Sequence, residues 1–243
     1  KYLVSLFIIL CTGCAAVLFS GCASHQKNLT TDRGTLDEAN YLQEKGFYDE
    51  ARKQYLRIKT EFPQSSLQVE TDLKIADSYY QEESYQTAAN SYEDFLKTYP
   101  GRPEVPEALY KLGMCYVKQM PSTAQRDTRP TAKVVDKFTR LIVDYPDSKH
   151  AAEAQGYIEK ARSQLADKIY QIARFYERMG EYDSAARRYA DFYDQYSSNT
   201  LAEEALAREI KNLKLSGQKE KAEALVTKFQ EKFPKSKFTS IIK

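Results

Sequence analysis

The chain has 243 residues, 36 Lys and Arg against 34 Asp and Glu, and a net charge of +2. That balance gives no footing for nucleic acid, which selects a basic patch or stripe. Nine glycines, no tryptophan and 19 tyrosines, with abundant Ala, Glu, Lys, Arg and Leu, point to an all-α protein. The chain opens on KYLVSLFIIL CTGCAAVLFS GCASHQ, in which Lys1 is the only charge before His25. Residues 2–19 are mostly apolar, at the low end of the length needed to span a bilayer. A basic start, an apolar core and the small pair Ser20-Gly21 also fit a secretory signal.

The next residue is Cys22, and the stretch resembles a bacterial lipoprotein signal, in which the cysteine is acylated and the chain is cut before it. Phe19 stands where such signals usually carry Leu. Lipidation at Cys22 is the expectation, over an uncleaved anchor or an ordinary cleaved signal. Several acyl chains on one residue meet the two-chain requirement for stable anchoring. Ala23 rather than Asp after the cysteine resembles an outer-membrane address. The expected organisation is a signal peptide at 1–21, an acylated N-terminus and tether at 22–34, and a repeat solenoid at 35–243. Cys11 and Cys14 fall within the signal, so the mature chain keeps Cys22 and Cys115, and Cys115 reads as a buried thiol.

Five segments then align: GFYDEARKQYLRIKTEFP (46–63), ESYQTAANSYEDFLKTYP (83–100), TAKVVDKFTRLIVDYP (131–146), GEYDSAARRYADFYDQYS (180–197) and GQKEKAEALVTKFQEKFP (217–234). Counting back from the closing residue, large apolar side chains recur at one, five and eight places, and a small residue or valine at twelve. The place eight back holds Tyr55, Tyr92, Phe138, Tyr189 and Val226. These offsets lie on one face of a helix that the closing proline ends. Each segment follows a second helical stretch with small residues such as Ala39, Ala76, Gly113 and Ala173. The pattern resembles the tetratricopeptide repeat in five copies, at ~35–66, ~69–103, ~106–148, ~166–199 and ~203–237. It implies a solenoid of five helix pairs. The intervals between closing positions are 37, 46, 51 and 37. The first excess is assigned to a loop around MPSTAQRDTRP (120–130). The second is assigned to one long helix over about 148–179, roughly 45 Å at the helical rise, bridging repeats three and four.

No catalytic constellation, P-loop or dinucleotide-binding glycine pattern is present, and the many carboxylates read as solvated helix faces. No cofactor and no metal are expected; the chain reads as a binding scaffold, not an enzyme. In tetratricopeptide arrays the first helix of each pair lines a groove. Just off its core stripe stand Leu36, Asn40 and Gln43, then Leu73, Asp77 and Tyr80, then Tyr110, Met114 and Val117. Repeat four supplies Tyr170, Arg174 and Glu177 there. The groove is thus expected to be apolar and aromatic early and charged later, unless Leu36, Leu73 and Tyr110 only thicken the core. On the second helix of repeat four, Arg188 falls at the edge of the core stripe and Arg187 points away from it.

A cysteine to be acylated, five repeats, Arg126-Asp127 in the repeat-three loop, the run VVDKFTRLIVDYPDS and a long helix, in this order, resemble the BamD family. Those proteins are lipoproteins of the outer-membrane β-barrel assembly machinery. Thr128, where the family often has proline, and Ser197 depart from its pattern. The resemblance implies a non-enzymatic protein on the periplasmic face of the outer membrane. It would bind the POTRA portion of BamA, with Arg188, Arg126 and Asp127 as candidate contacts. Its N-terminal repeats would take the C-terminal segments of unfolded barrel proteins, and accessory lipoproteins of the machinery are further partners. A second reading is another envelope repeat lipoprotein such as the CpoB cell-division coordinators. Those carry an N-terminal coiled coil for which residues 23–35 are too short and polar.

Overall fold

The computed structural model describes residues 29–123 and 127–242, so the apolar leader, Cys22 and Arg126 lie outside the described residues. The chain is all-α and built of helix pairs of the tetratricopeptide type, as expected. The helices are α1 (Asp32–Glu44), α2 (Tyr48–Glu61), α3 (Gln68–Gln81), α4 (Tyr85–Thr98) and α5 (Val105–Gln119). Then come α6 (Arg129–Asp144), α7 (Ala151–Arg178), α8 (Tyr182–Gln195), α9 (Ala202–Leu215) and α10 (Lys219–Lys232), and a 3-10 turn at Lys237–Ser240. Two compact units divide at Thr71 and Asp72.

The recurrent closing motif is local chemistry repeated five times. Phe62, Tyr99, Tyr145, Tyr196 and Phe233 each cap a second helix with a partly extended backbone, and each N–H donates to the carbonyl four residues back. At four of the five a following proline disfavours the helical conformation in the residue before it, and Tyr196 takes the same backbone ahead of Ser197. The capping rings pack on the residue four back: Phe95–Tyr99, Phe192–Tyr196 and Phe229–Phe233 have centroids 5.2, 5.7 and 5.4 Å apart. The turns inside the pairs need a left-handed residue. Gly46, Gly180 and Gly217 supply it without a Cβ penalty, whereas Glu83 adopts φ of 65° against that penalty.

The small positions admit the large rings. A Cβ on Gly113 would land in the Phe138 ring, so the closest approach in repeat three depends on glycine. Tyr55, Tyr92, Phe138, Tyr189 and Phe192 are all fully buried. Burying a tyrosine also buries its hydroxyl, which needs a partner. In the first unit the Tyr55 hydroxyl lies 2.8 Å from both Asn40 Oδ1 and Gln43 Oε1. In the second, Tyr92 donates to Asp77 at 2.5 Å and Tyr189 to Glu177 at 2.8 Å. Burial and the adjacent carboxylate push both phenols up, so they stay protonated donors.

The long helix α7, 28 residues and about 42 Å at 1.5 Å per residue, matches the expected bridge. Its middle holds the preceding loop: Gln164 donates to the Pro121 carbonyl at 2.5 Å, and Lys168 donates to Thr128 at 3.0 Å. Cys115 is fully buried, and burial pushes its thiol up to about 12, so it stays protonated and inert.

One half-buried carboxyl stands apart. Glu209 on α9 borders a 480 Å³ groove with Ala186, Ala190, Leu213 and Leu225. Burial and the like charge of Asp194 push it up to about 7, against the opposing pull of Lys228.

The packing yields two expectations. Tyr92→Ala and Phe192→Ala should each cost ~3–5 kcal/mol in chemical denaturation, because each empties a fully buried aromatic site; losses below ~1 kcal/mol at both would place those rings outside the core. Glu209 binds its proton more tightly folded than unfolded, so its contribution to stability is full below the ordinary carboxylate pKa and is lost as pH rises toward 7. Glu209→Gln should therefore stabilise the fold by ~1–2 kcal/mol at pH 8 and by much less at pH 4.5. Equal effects in urea melts at both pH values would contradict a raised carboxyl.

A candidate peptide cleft and an arginine face

The second unit carries a cleft of 330 Å³ lined by Asp77, Tyr80 and Gln81 of α3, Tyr92 of α4, and Tyr110, Lys111 and Met114 of α5. Four of the groove residues expected from sequence thus come together: Asp77, Tyr80, Tyr110 and Met114. They recur at three- and four-residue spacing on two first helices, which places them on one face of each. Asp77 is the polar centre. It accepts from Tyr92, and Lys111 donates to its two oxygens at 2.7 and 2.9 Å. The walls are aromatic or thioether, and Tyr80 packs edge-on against Tyr85 at 5.4 Å. A cleft with apolar walls and one oriented charged pair suits an extended peptide carrying large apolar side chains.

The remaining groove residues are placed differently. Leu36 is fully buried and is core, not groove, because the inward stripe of α1 widens to include it beside Thr35 and Ala39. Asn40 is engaged by Tyr55 in the first unit. Leu73 is partly buried and does not line the cleft. Val117 lines a separate 560 Å³ cavity with Met120, Pro121, Lys160 and Gln164. In repeat four, Tyr170 is 4% exposed and packs edge-on against Tyr189 and Phe192 at 5.7 and 5.5 Å. It is core, where the sequence pattern had placed it in the groove.

Sequence reasoning missed Lys111, and with it a repeated device. Glu177 accepts from Tyr189, from Arg208 at 3.0 Å and from Lys211 at 2.9 Å. Lys111 follows Asp77 by 34 residues, and Lys211 follows Glu177 by the same 34. An acid followed by a lysine one repeat later is a sequence signal that could have found both pairs. Burial alone would raise Glu177, but its bonds from Lys211, Tyr189 and Arg208 outweigh that and hold it below the usual carboxylate range.

On α8, Arg187 and Arg188 border a 470 Å³ cavity with Tyr176, Ser184, Ala190 and Asp191. The Arg188 side chain is 52% exposed and pairs with Asp191 at 3.2 Å, while Arg187 is 72% exposed and pairs with Asp183. Their difference in cover follows their angular positions on the helix. Phe175 and Met179, at the end of α7, are also exposed. In the repeat-three loop Asp127 accepts from Arg129, whose Nη2 lies 2.7 Å away, and this pairing holds Asp127 below the usual carboxylate range. Among the described residues there is no cluster of metal-ligating side chains, and no helix is long and apolar enough to cross a membrane.

Comparison with known proteins places these features in a family. Residues 35–228 match the YfiO family of outer membrane lipoproteins. The outer membrane protein assembly factor BamD of Neisseria meningitidis serogroup A is 28% identical over 201 residues, covering 79% of this chain and 75% of that protein. The protein of the same name from Rickettsia prowazekii is 24% identical, covering 92% of this chain and 90% of that one. The one from Caulobacter vibrioides is 25% identical, covering 74% and 58%. The solved TPR2AB domain of yeast Sti1 is similar at 14% identity and a TM-score of 0.43, covering 84% of this chain and 78% of that one. With 35–228 matched, including the cleft, the long helix and the arginine face, the chain belongs to the YfiO family of outer membrane lipoproteins.

Proposed function

We propose that this chain is a non-enzymatic assembly factor of the outer membrane, a scaffold that holds unfolded barrel proteins by their C-terminal segments and joins them to BamA. The observation that carries this reading is the meeting of Asp77, Tyr80, Tyr110, Lys111 and Met114 in one cleft, in a family whose relatives are named outer membrane protein assembly factor BamD. A barrel strand alternates outward apolar and inward polar residues. An extended segment of that kind presents aromatic side chains to the Tyr80, Tyr110 and Met114 walls and polar groups to Asp77 and Lys111. The chemistry asked of the protein is reversible grip, so no reacting group is needed.

The arginine face on α8 is the proposed contact for the POTRA region of BamA. Arg188 has the stem cover and the planar fork for a carboxylate, and exchanges its own Asp191 for an acidic partner residue. Asp127 and Arg126 of the repeat-three loop are proposed as a second contact. Acylation at Cys22 would hold the assembly on the periplasmic face of the outer membrane. Accessory lipoproteins are partners under the same reading. The CpoB-like alternative has no observation in its favour beyond the repeats.

Two measurements test the two faces. A double variant, Tyr80→Ala with Met114→Ala, should weaken a fluorescein-labelled peptide from the C-terminus of a barrel protein by about tenfold or more, with the helical circular dichroism unchanged. Unchanged anisotropy titrations would move the client site elsewhere. Arg188→Glu should weaken binding of the isolated POTRA region by ~2–5 kcal/mol if the pair is desolvated at the interface and by under ~1 kcal/mol on a rim. Arg187→Glu is the control and should change little. Calorimetry that finds the two substitutions equal would reduce the contact to general charge.

A further inference from the structure

Tyr110 forms one wall of the cleft, and its ring packs on residues that do not line it. The restraint comes from outside. The imidazole of His150, in the turn before α7, stacks face to face on the Tyr110 ring, with centroids 3.8 Å apart and planes 7° from parallel. Beyond it the column continues through Phe138, 5.9 Å from Tyr110, to Tyr157, 5.6 Å from Phe138. Burial and the neighbouring Glu153 carboxylate push the Tyr110 phenol up.

His150 also reaches the charged side of the cleft. Its Nε2 lies 2.9 Å from Glu107 Oε2. Glu107 is one helical turn before Lys111 and 3.9 Å from its ammonium, and Lys149 lies 3.2 Å from the same carboxylate. Lys111 in turn donates to Asp77. One side chain that lines no part of the cleft thus touches one residue that does, Tyr110, and the carboxylate beside a second, Lys111. Its other obvious role is vacant: His150 occupies the N-cap position of α7 but makes no side-chain capping bond. Its side chain is only 16% exposed, so the stack and the Glu107 bond account for its setting.

We propose that His150 is a positioning residue of the peptide cleft, fixing the Tyr110 ring as a wall by stacking on it. The inference rests on the reading of the cleft as a peptide site. Without the stack, the ring gains rotamer freedom that binding must remove, and an aromatic contact of this kind is worth roughly a twofold to twelvefold change in an equilibrium constant. The Glu107 bond is secondary, since Lys149 and Lys111 remain beside that carboxylate when His150 is replaced.

Two substitutions separate the stack from the hydrogen bond. His150→Phe keeps a planar ring and loses the bond; His150→Gln keeps a polar end and loses the ring. With the same fluorescein-labelled peptide, His150→Gln should bind about fivefold to tenfold more weakly, and His150→Phe within about twofold of the parent chain. Circular dichroism should be unchanged in both. A second readout needs no ligand. In chain with ¹³C-labelled tyrosine rings, the Tyr110 signal, assigned with Tyr110→Phe, should be shifted by the ring current of His150. It should stay shifted in His150→Phe and move to an ordinary position in His150→Gln. Parent-like affinity in His150→Gln, or equal weakening in both variants, would overturn the proposal. If the parent chain does not bind the peptide, the cleft reading falls, and a Tyr110 signal that is the same in the parent chain and in His150→Gln would independently overturn the hold of His150 on the ring.

Discussion

The structure turns on a hydroxyl that cannot be left alone. A tyrosine from the second helix of a pair fills the space left by a small residue on the first, and a buried phenol without a partner would cost more than a typical hydrogen bond contributes. The partner is a polar side chain on the open face of the first helix: Asn40 and Gln43 for Tyr55, Asp77 for Tyr92, Glu177 for Tyr189. Where that partner is an acid, burying it creates a second demand, which a lysine 34 residues later meets: Lys111 for Asp77, Lys211 for Glu177. Packing inside one repeat therefore dictates a charge on the open face and ties it to the next repeat.

The same chain of demands makes a site. At Asp77 the acid, its lysine and the packed tyrosine open onto a cleft with aromatic walls. At Glu177 the equivalent acid takes Arg208 as well as Lys211, and the two acids are buried alike, with side chains 15% and 12% exposed. One device thus borders a cleft with aromatic walls in one place and joins an acid to a lysine and an extra arginine in another. Repeat three breaks the pattern by replacing tyrosine with Phe138, which needs no acid. It uses the freed face for the aromatic column through Tyr110 and His150.

Much of the fold was legible in the sequence because the signals were periodic. The recurrence of a large residue eight places before the closing proline, the glycines at the turns and the proline-free run before Met179 correspond to buried rings, left-handed turns and α7. The site was half legible. Asp77, Tyr80, Tyr110 and Met114 follow from helical spacing once the tetratricopeptide resemblance says which helix lines the groove. Leu36 and Tyr170 were misplaced because a stripe position at the margin is decided by how closely two helices approach, and that depends on neighbours far off in sequence. Lys111 and His150 act across repeats, His150 meeting Glu107 from 43 residues away, and no local pattern marks such a contact.

The central claim is that the cleft between α3 and α5 holds the C-terminal segment of an unfolded barrel protein. The most direct test places a photoreactive benzophenone side chain at Met114, inside the cleft, and in a second strain at Leu215, which is exposed at the end of α9. Irradiation of living cells while a tagged barrel protein is being made should crosslink its last strand at Met114 and not at Leu215. Crosslinks to that strand at Leu215 with none at Met114 would contradict the account.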